Sequence, residues 1–134
     1  MQTGTFIYWD GSESDEFDRE KKLKGIAVVE DDYHAFLVLP NDVKNVDWWD
    51  GKRKCEEQFA QMPNLRQLEA IYKSKEVLNK AFIAVGGEAL DDEAYYWSST
   101  EYNSYFAWLL RMSDGYRFNY VKSNHYYVRP VLAF

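Results

Sequence analysis

The sequence predicts an α+β fold in a single domain, residues 1–134, with two helices in the middle and antiparallel strands at both ends. Three observations carry this. Short apolar runs broken by turn residues fill the first 40 positions, helical spacing with a clear start and stop follows Pro63, and strict alternation takes over from Tyr95. At this length roughly two thirds of the unfolded surface can be buried, enough for a core without metal or disulfide staples.

Taken in order, "GTFIYW" reads as a short strand ended at Asp10-Gly11, and "SESDEFDREKKLK" as a charged, solvated loop with room for a helical turn. "GIAVVE" and "YHAFLVLP", separated by Glu30-Asp31-Asp32, form a hairpin whose second strand stops at Pro40. The stretch "VDWWDGKRKCEEQFAQM" is ambiguous; its later part fits a helix with Cys55, Phe59 and Met62 on one face. Asn64 followed by Gln67 is a capping-box pattern, and Leu68, Ile71 and Tyr72 make the stripe of the helix it opens. A second helix, from about Ser74 through Ala84, gathers Leu78, Ala81, Phe82 and Val85 and stops at Gly86-Gly87. In "YFAWLLRM", Phe106, Trp108, Leu110 and Met112 share one face and Tyr105, Ala107, Leu109 and Arg111 the other. Ser113-Asp114-Gly115 turns the chain into "YRFNYVK", and "YVRPVLAF" is the last strand. The first and last strands both need partners, so they are expected to pair with each other.

Charge and cysteine use exclude several classes. The first 94 residues carry net −8 and the last 40 net +2, making −6 in all, so the body lacks the basic stripe that nucleic-acid binding requires. One cysteine, Cys55, forbids an internal disulfide and a cysteine-based zinc site. The opening residues hold no basic stretch ahead of an apolar core, and no run approaches the ~18 apolar residues of a membrane span, so neither a signal peptide nor membrane insertion is expected. No spaced His, Asp and Ser constellation stands out, which predicts a non-enzyme without cofactor or metal. His34 sits in an apolar strand and reads as a satisfied core or hairpin residue rather than a base. The carboxylates at Asp91–Glu93 and Glu30–Asp32 are better explained by turn solvation than by calcium.

The aromatic residues are unevenly placed. Of 24, 13 lie in the last 40 positions, among them 8 of the 11 tyrosines, interleaved with Ser and Asn. That is more than a small core absorbs, and Tyr with small polar neighbours is the composition of a binding surface. Cross-strand packing pairs are the plainer explanation of Tyr and Phe in strands.

"YWSSTE" at Tyr96–Glu101, "AW" at Ala107-Trp108, "DG" at Asp114-Gly115 and "YVRPV" at Tyr127–Val131, with "MPNLRQLEAIY" and "LNKAF" upstream, resemble the C-type-lectin-fold domain of variable proteins diversified by retroelements. Related bacterial domains of the formylglycine-generating type share the pattern. The match covers residues 60–134 well and 1–60 loosely. The resemblance implies a C-type lectin-like fold and a hypervariable region at about 105–126 that binds a protein or other macromolecular ligand on a cell surface. It further implies a virion-associated or surface-displayed protein of a phage or bacterium. Diversification at adenines of the family's template codon excludes Lys, Glu, Gln, Met and Trp. The positions expected to vary all avoid those types: Tyr105, Phe106, Leu109, Arg111, Ser113, Asp114, Tyr116, Phe118, Tyr120, Val121, Ser123, His125 and Tyr126. Trp97, Trp108, Leu110 and Gly115 are expected as scaffold, with Lys122 held constant between variable positions.

For Arg129 a structural ion pair outweighs a ligand-facing role, and Trp48 and Trp49 either extend the binding face or roof the helices. The copper site of formylglycine-generating enzymes needs more than Cys55, and the Glu-Pro-Asn type of tripeptide used by calcium-dependent lectins is absent, so neither activity transfers. The alternative reading is an undiversified structural or adhesin module of bacterial surface proteins with the same fold.

Overall fold

The computed structural model describes all 134 residues, Met1–Phe134. Two five-stranded sheets and three helices form the α+β architecture. The first sheet contains β1 (Phe6–Tyr8), β2 (Glu13–Ser14), β3 (Leu23–Val29), β4 (Ala35–Val38) and β10 (Val131–Ala133), in the order β10-β4-β3-β1-β2, all antiparallel. The second contains β5 (Val43–Val46), β6 (Tyr95–Glu101), β7 (Phe106–Arg111), β8 (Arg117–Val121) and β9 (Tyr126–Val128), in the order β5-β9-β6-β7-β8. Only β6 and β9 run parallel, meeting at Tyr96 and Tyr127.

The first and last strands therefore share a sheet but do not pair, contrary to the sequence expectation. The β3–β4 hairpin lies between them, with Phe6 opposite Ile26 and Val131 opposite Val38. The reason is visible in the runs themselves. Ile26, Ala27 and Val28 and then Phe36, Leu37 and Val38 are all buried, so both faces of the hairpin are covered, and a strand covered on both faces belongs in the middle of a sheet.

Three helices replace the expected two. Helix α1 (Trp48–Glu57) starts where the Asp47 carboxylate accepts the Asp50 N–H at 2.8 Å and buries Trp48, Gly51 and Cys55. Phe59 leaves the expected helical stripe: it sits at φ +58° just past the helix end, 88% exposed, where its own N–H and that of Ala60 close the last carbonyls. Helix α2 (Leu65–Lys73) has the full capping box, with Asn64 and Gln67 bonding each other's backbone at 2.8 and 2.9 Å. Helix α3 (Lys75–Ala84) ends ahead of Gly86, which adopts φ +81°.

The main core lies where the first sheet, α2 and α3, and one face of the second sheet meet. It holds Phe6, Ile26, Phe36, Leu68, Ile71, Leu78, Phe82, Tyr96, Leu110 and Met112 among others. A second core forms on the opposite face of the second sheet under α1, from Val46, Trp48, Cys55, Met62, Trp97, Ala107, Leu109 and Val128. Both faces of β7 are thus partly covered, which strand alternation alone does not reveal.

Gly115 closes the β7–β8 turn at φ +76°, and a Cβ built there would lie 2.6 Å from the Tyr72 ring of α2. Gly115→Ala meets both a left-handed backbone and a steric block, so we expect a loss of about 1–3 kcal/mol. Urea unfolding measures it; a loss below a few tenths would show that the turn and Tyr72 move aside freely.

Candidate functional site

The two-residue repeat of β8 and the alternation of β6 and β7 set their aromatic rings side by side on the face that α1 only partly covers. Phe118 stands opposite Leu109 and Tyr120 opposite Ala107, while Trp97 stands opposite Leu109 from the other side. The rings form a continuous platform. Tyr116 stacks on Phe118 with centroids 6.0 Å apart, and Tyr95 meets Phe118 at 5.4 Å and Tyr126 at 5.6 Å, both edge to face. Tyr120 joins Phe118 at 6.5 Å and Tyr126 at 6.2 Å, closing a ring of four aromatic side chains with Tyr95. Trp97 lies beneath, 5.2 Å from Tyr126, with its indole N–H donating to the Val46 carbonyl at 3.0 Å. Such stacked and edge-to-face contacts hold each ring against its neighbours.

The positions expected to vary separate into three groups. Tyr105 (72% exposed), Tyr116 (58%) and Tyr120 (44%) are open to solvent, as are Ser113, Asp114, Ser123 and His125. Phe106, Arg111, Phe118, Val121 and Tyr126 are half-buried. Leu109 is fully buried in the second core and is scaffold rather than surface. The set also spans two faces: Phe106 and Val121 oppose each other across β7 and β8 on the side facing away from the platform, beside the Trp108–Asn119 pair. Of the expected scaffold, Trp97 and Leu110 are fully buried, whereas Trp108 is only half-buried, its ring 6.0 Å from the exposed Tyr102. The correction at β7 has one cause. Helix α1 covers the Ala107–Leu109 face at the point where the main core no longer reaches Trp108.

Arg111 and Asp114 are spent on the turn. The Arg111 guanidinium donates Nε to Asp114 Oδ1 at 2.9 Å and Nη2 to Oδ2, and lies 5.3 Å from the Tyr116 ring centroid. Asp114 Oδ1 also accepts the Tyr116 N–H at 3.0 Å. The Arg111 guanidinium first, and then that N–H, hold the Asp114 carboxyl down at about 2. A depressed carboxyl favours the native turn above its ordinary value of 3.8 and loses that contribution as pH falls through about 2. An NMR titration of the Asp114 carboxyl carbon is expected to show a midpoint near 2; a midpoint at 3.8 would mean the pair does not persist in solution.

Lys122 is a structural lysine. Its ammonium, 3% exposed, donates to Glu101 Oε2 at 2.9 Å and to the Ser104 carbonyl at 3.0 Å, and sits 4.3 Å from the Trp48 ring centroid. Trp48 is buried, with its indole N–H bonded to the Ser98 carbonyl, whereas Trp49 is 53% exposed beside it. Of the two roles the sequence left open, Trp48 takes that of roofing the second core, and Trp49 stands exposed with its ring 6.1 Å from that of Trp48.

The remaining charged candidates have local partners. Arg129 is fully buried and bonds Asp42 Oδ1 at 2.7 Å, the Glu88 carbonyl at 2.9 Å and the Leu39 carbonyl at 3.2 Å, so the structural ion pair is what the fold builds. His34 pairs with Asp31, whose carboxylate also accepts the Tyr33 and His34 N–H groups. Glu30 pairs with Arg66, Asp92 with Lys75, and Asp91 accepts the Glu93 N–H. Burial pushes the Cys55 thiol up to about 12, far from thiolate reactivity. Sequence reasoning missed Tyr95, a wall of the platform. Its signal was the two-residue spacing from Trp97, which puts both on one face.

No protein-family model matches the chain, and no curated protein matches it.

Proposed function

We propose that the protein is a ligand-binding module that recognises a surface protein or other macromolecule through the aromatic platform, as a retroelement-diversified variable protein with a C-type lectin-like fold. The observation that carries this reading is the packing of Tyr95, Phe118, Tyr120 and Tyr126 into one ring of side chains, with Tyr116 and Tyr120 held open to solvent above a separate core. Preorganised Tyr surface gives contact area at low entropic cost, as in antibody loops. The scaffold beneath it, Trp97, Leu109, Leu110, Gly115 and Lys122, is anchored by contacts that do not involve the Tyr105, Tyr116 and Tyr120 rings. No reaction chemistry is needed for this role.

A second reading, the undiversified structural or adhesin module, draws on Phe118 and Tyr126, which also pack on the second core. The two readings differ at the exposed tyrosines. Under ligand binding, the combined Tyr105→Ala and Tyr116→Ala variant, which removes the two most exposed rings among the positions expected to vary and leaves Tyr120 in the packed ring, keeps its melting temperature within about 3 °C, the equivalent of less than about 1 kcal/mol. Partner capture from a cell-surface extract falls on the order of 30-fold or more, since a platform tyrosine acting as a hot spot is worth about 2 kcal/mol. A loss of more than about 10 °C in the isolated domain would place these rings in fixed packing instead.

A further inference from the structure

The two sheets have four edges, and three are blunted. β2 is only Glu13–Ser14 long; β10 is bridged on its free side by Gln61, with reciprocal bonds of 2.8 Å to Val131; β5 is broken by a register shift with Asn45 at φ +54°. The fourth, β8, runs five residues in regular register with β7 and carries no Pro and no acidic side chain. Its free hydrogen-bonding groups follow from the ladder. Arg111 N–H bonds the Tyr116 carbonyl and Lys122 N–H bonds the Tyr105 carbonyl, so Tyr116, Phe118, Tyr120 and Lys122 aim their backbone groups at β7. Arg117, Asn119 and Val121 aim theirs outward; of these groups, the Val121 carbonyl is taken by the Asn124 N–H at 3.1 Å.

We infer that β8 is a self-complementary edge that joins the β8 of a second copy in antiparallel register about Asn119, making one continuous sheet across two chains. A two-fold axis there gives reciprocal bonds between the Asn119 residues and a bond from each Val121 N–H to the Arg117 carbonyl of the second copy. Phe118 of one chain then faces Tyr120 of the other, twice, on the platform side, which is a favourable aromatic cross-strand pair. Arg117 faces Val121 rather than another Arg117, and each Arg117 is already paired with its own Glu69 at 2.7 Å. No like charges meet along the strand. The two platforms become one surface on one side of the joined sheet. Because the joining bonds are backbone groups, they tolerate side-chain changes on β8 that set no like charges face to face.

The test uses the full chain in sedimentation equilibrium at submillimolar concentration. The expected mass is twice the 15.9 kDa of the chain. Asn119→Lys and Asn119→Asp each put like charges opposite each other and are expected to halve that mass; mixing the two folded variants is expected to restore it, because only facing residues complement. Asn119→Pro, which removes an outward N–H without touching the β7 ladder, is also expected to be monomeric. A wild-type chain that stays monomeric overturns the inference, including the case in which it binds an added extended peptide along β8 instead. A dimer that survives the single charged substitutions, or a mixture that stays monomeric, overturns it as well. The Lys and Asp variants decide the matter if the proline variant does not fold.

Discussion

Leu109→Asn is expected to destabilise the protein by on the order of 4 kcal/mol, although strand alternation from Tyr105 places this residue among the solvent-facing positions. Its side chain is fully buried between Trp97 and Phe118 in the core that α1 closes. Removing a buried leucine costs about 2–5 kcal/mol in lost transfer energy and cavity. The amide that replaces it faces Trp97, Cys55 and Val128, and leaving it without a partner adds about 1–3 kcal/mol. Tyr116→Asn, on the same face, is expected to cost less than about 1 kcal/mol because that ring is largely exposed. Urea unfolding of the two variants side by side measures the contrast. Equal effects would mean that α1 does not hold the second core as the structure has it.

Arg129→Ala is expected to cost about 3–5 kcal/mol, because it strands a buried carboxylate. Asp42 is almost fully buried, and its partners are the Arg129 guanidinium at 2.7 Å and the Tyr96 hydroxyl at 3.0 Å. The same guanidinium also satisfies the carbonyls of Leu39 and Glu88 and lies 4.4 Å from the Phe82 ring, so one side chain ties the β4 exit, the loop after α3 and β10 together. Arg129→Lys reaches fewer of these acceptors and is expected to recover only part of the loss. The double variant Arg129→Met with Asp42→Leu removes both charges, and we expect it to be more stable than Arg129→Ala alone. If Arg129→Ala unfolds at the wild-type urea midpoint, the network is not a fastener of this fold.

Local rules made much of the molecule readable from sequence. The capping box at Asn64 and Gln67, the stop before Gly86, the β3–β4 hairpin and the Ser113–Gly115 turn each depend on a few neighbouring residues, and each stands where the spacing puts it. Features set by distant partners were not readable. Nothing near Phe6 or Val131 says that a hairpin will separate β1 from β10. Helix α1 hides because its buried face is only Trp48, Gly51 and Cys55, and Gly51 is kept small by Val128, whose Cγ2 would lie 2.9 Å from a Cβ. The run that drew attention instead, Cys55, Phe59 and Met62, crosses the helix end. At β7 the alternation sorted residues correctly into two faces but not which stretch of each face is covered, and that is why Leu109 is fully buried while Trp108 is only half-buried.

The most direct test of the diversified binding face is population sequencing of the gene and its downstream flank. The account predicts substitutions concentrated at Tyr105, Tyr116, Tyr120, Ser123 and His125, with Trp97, Leu109, Gly115 and Lys122 constant and an adenine-rich template repeat nearby. An invariant 105–126 segment without a template repeat would contradict it and return the platform to a fixed interaction module.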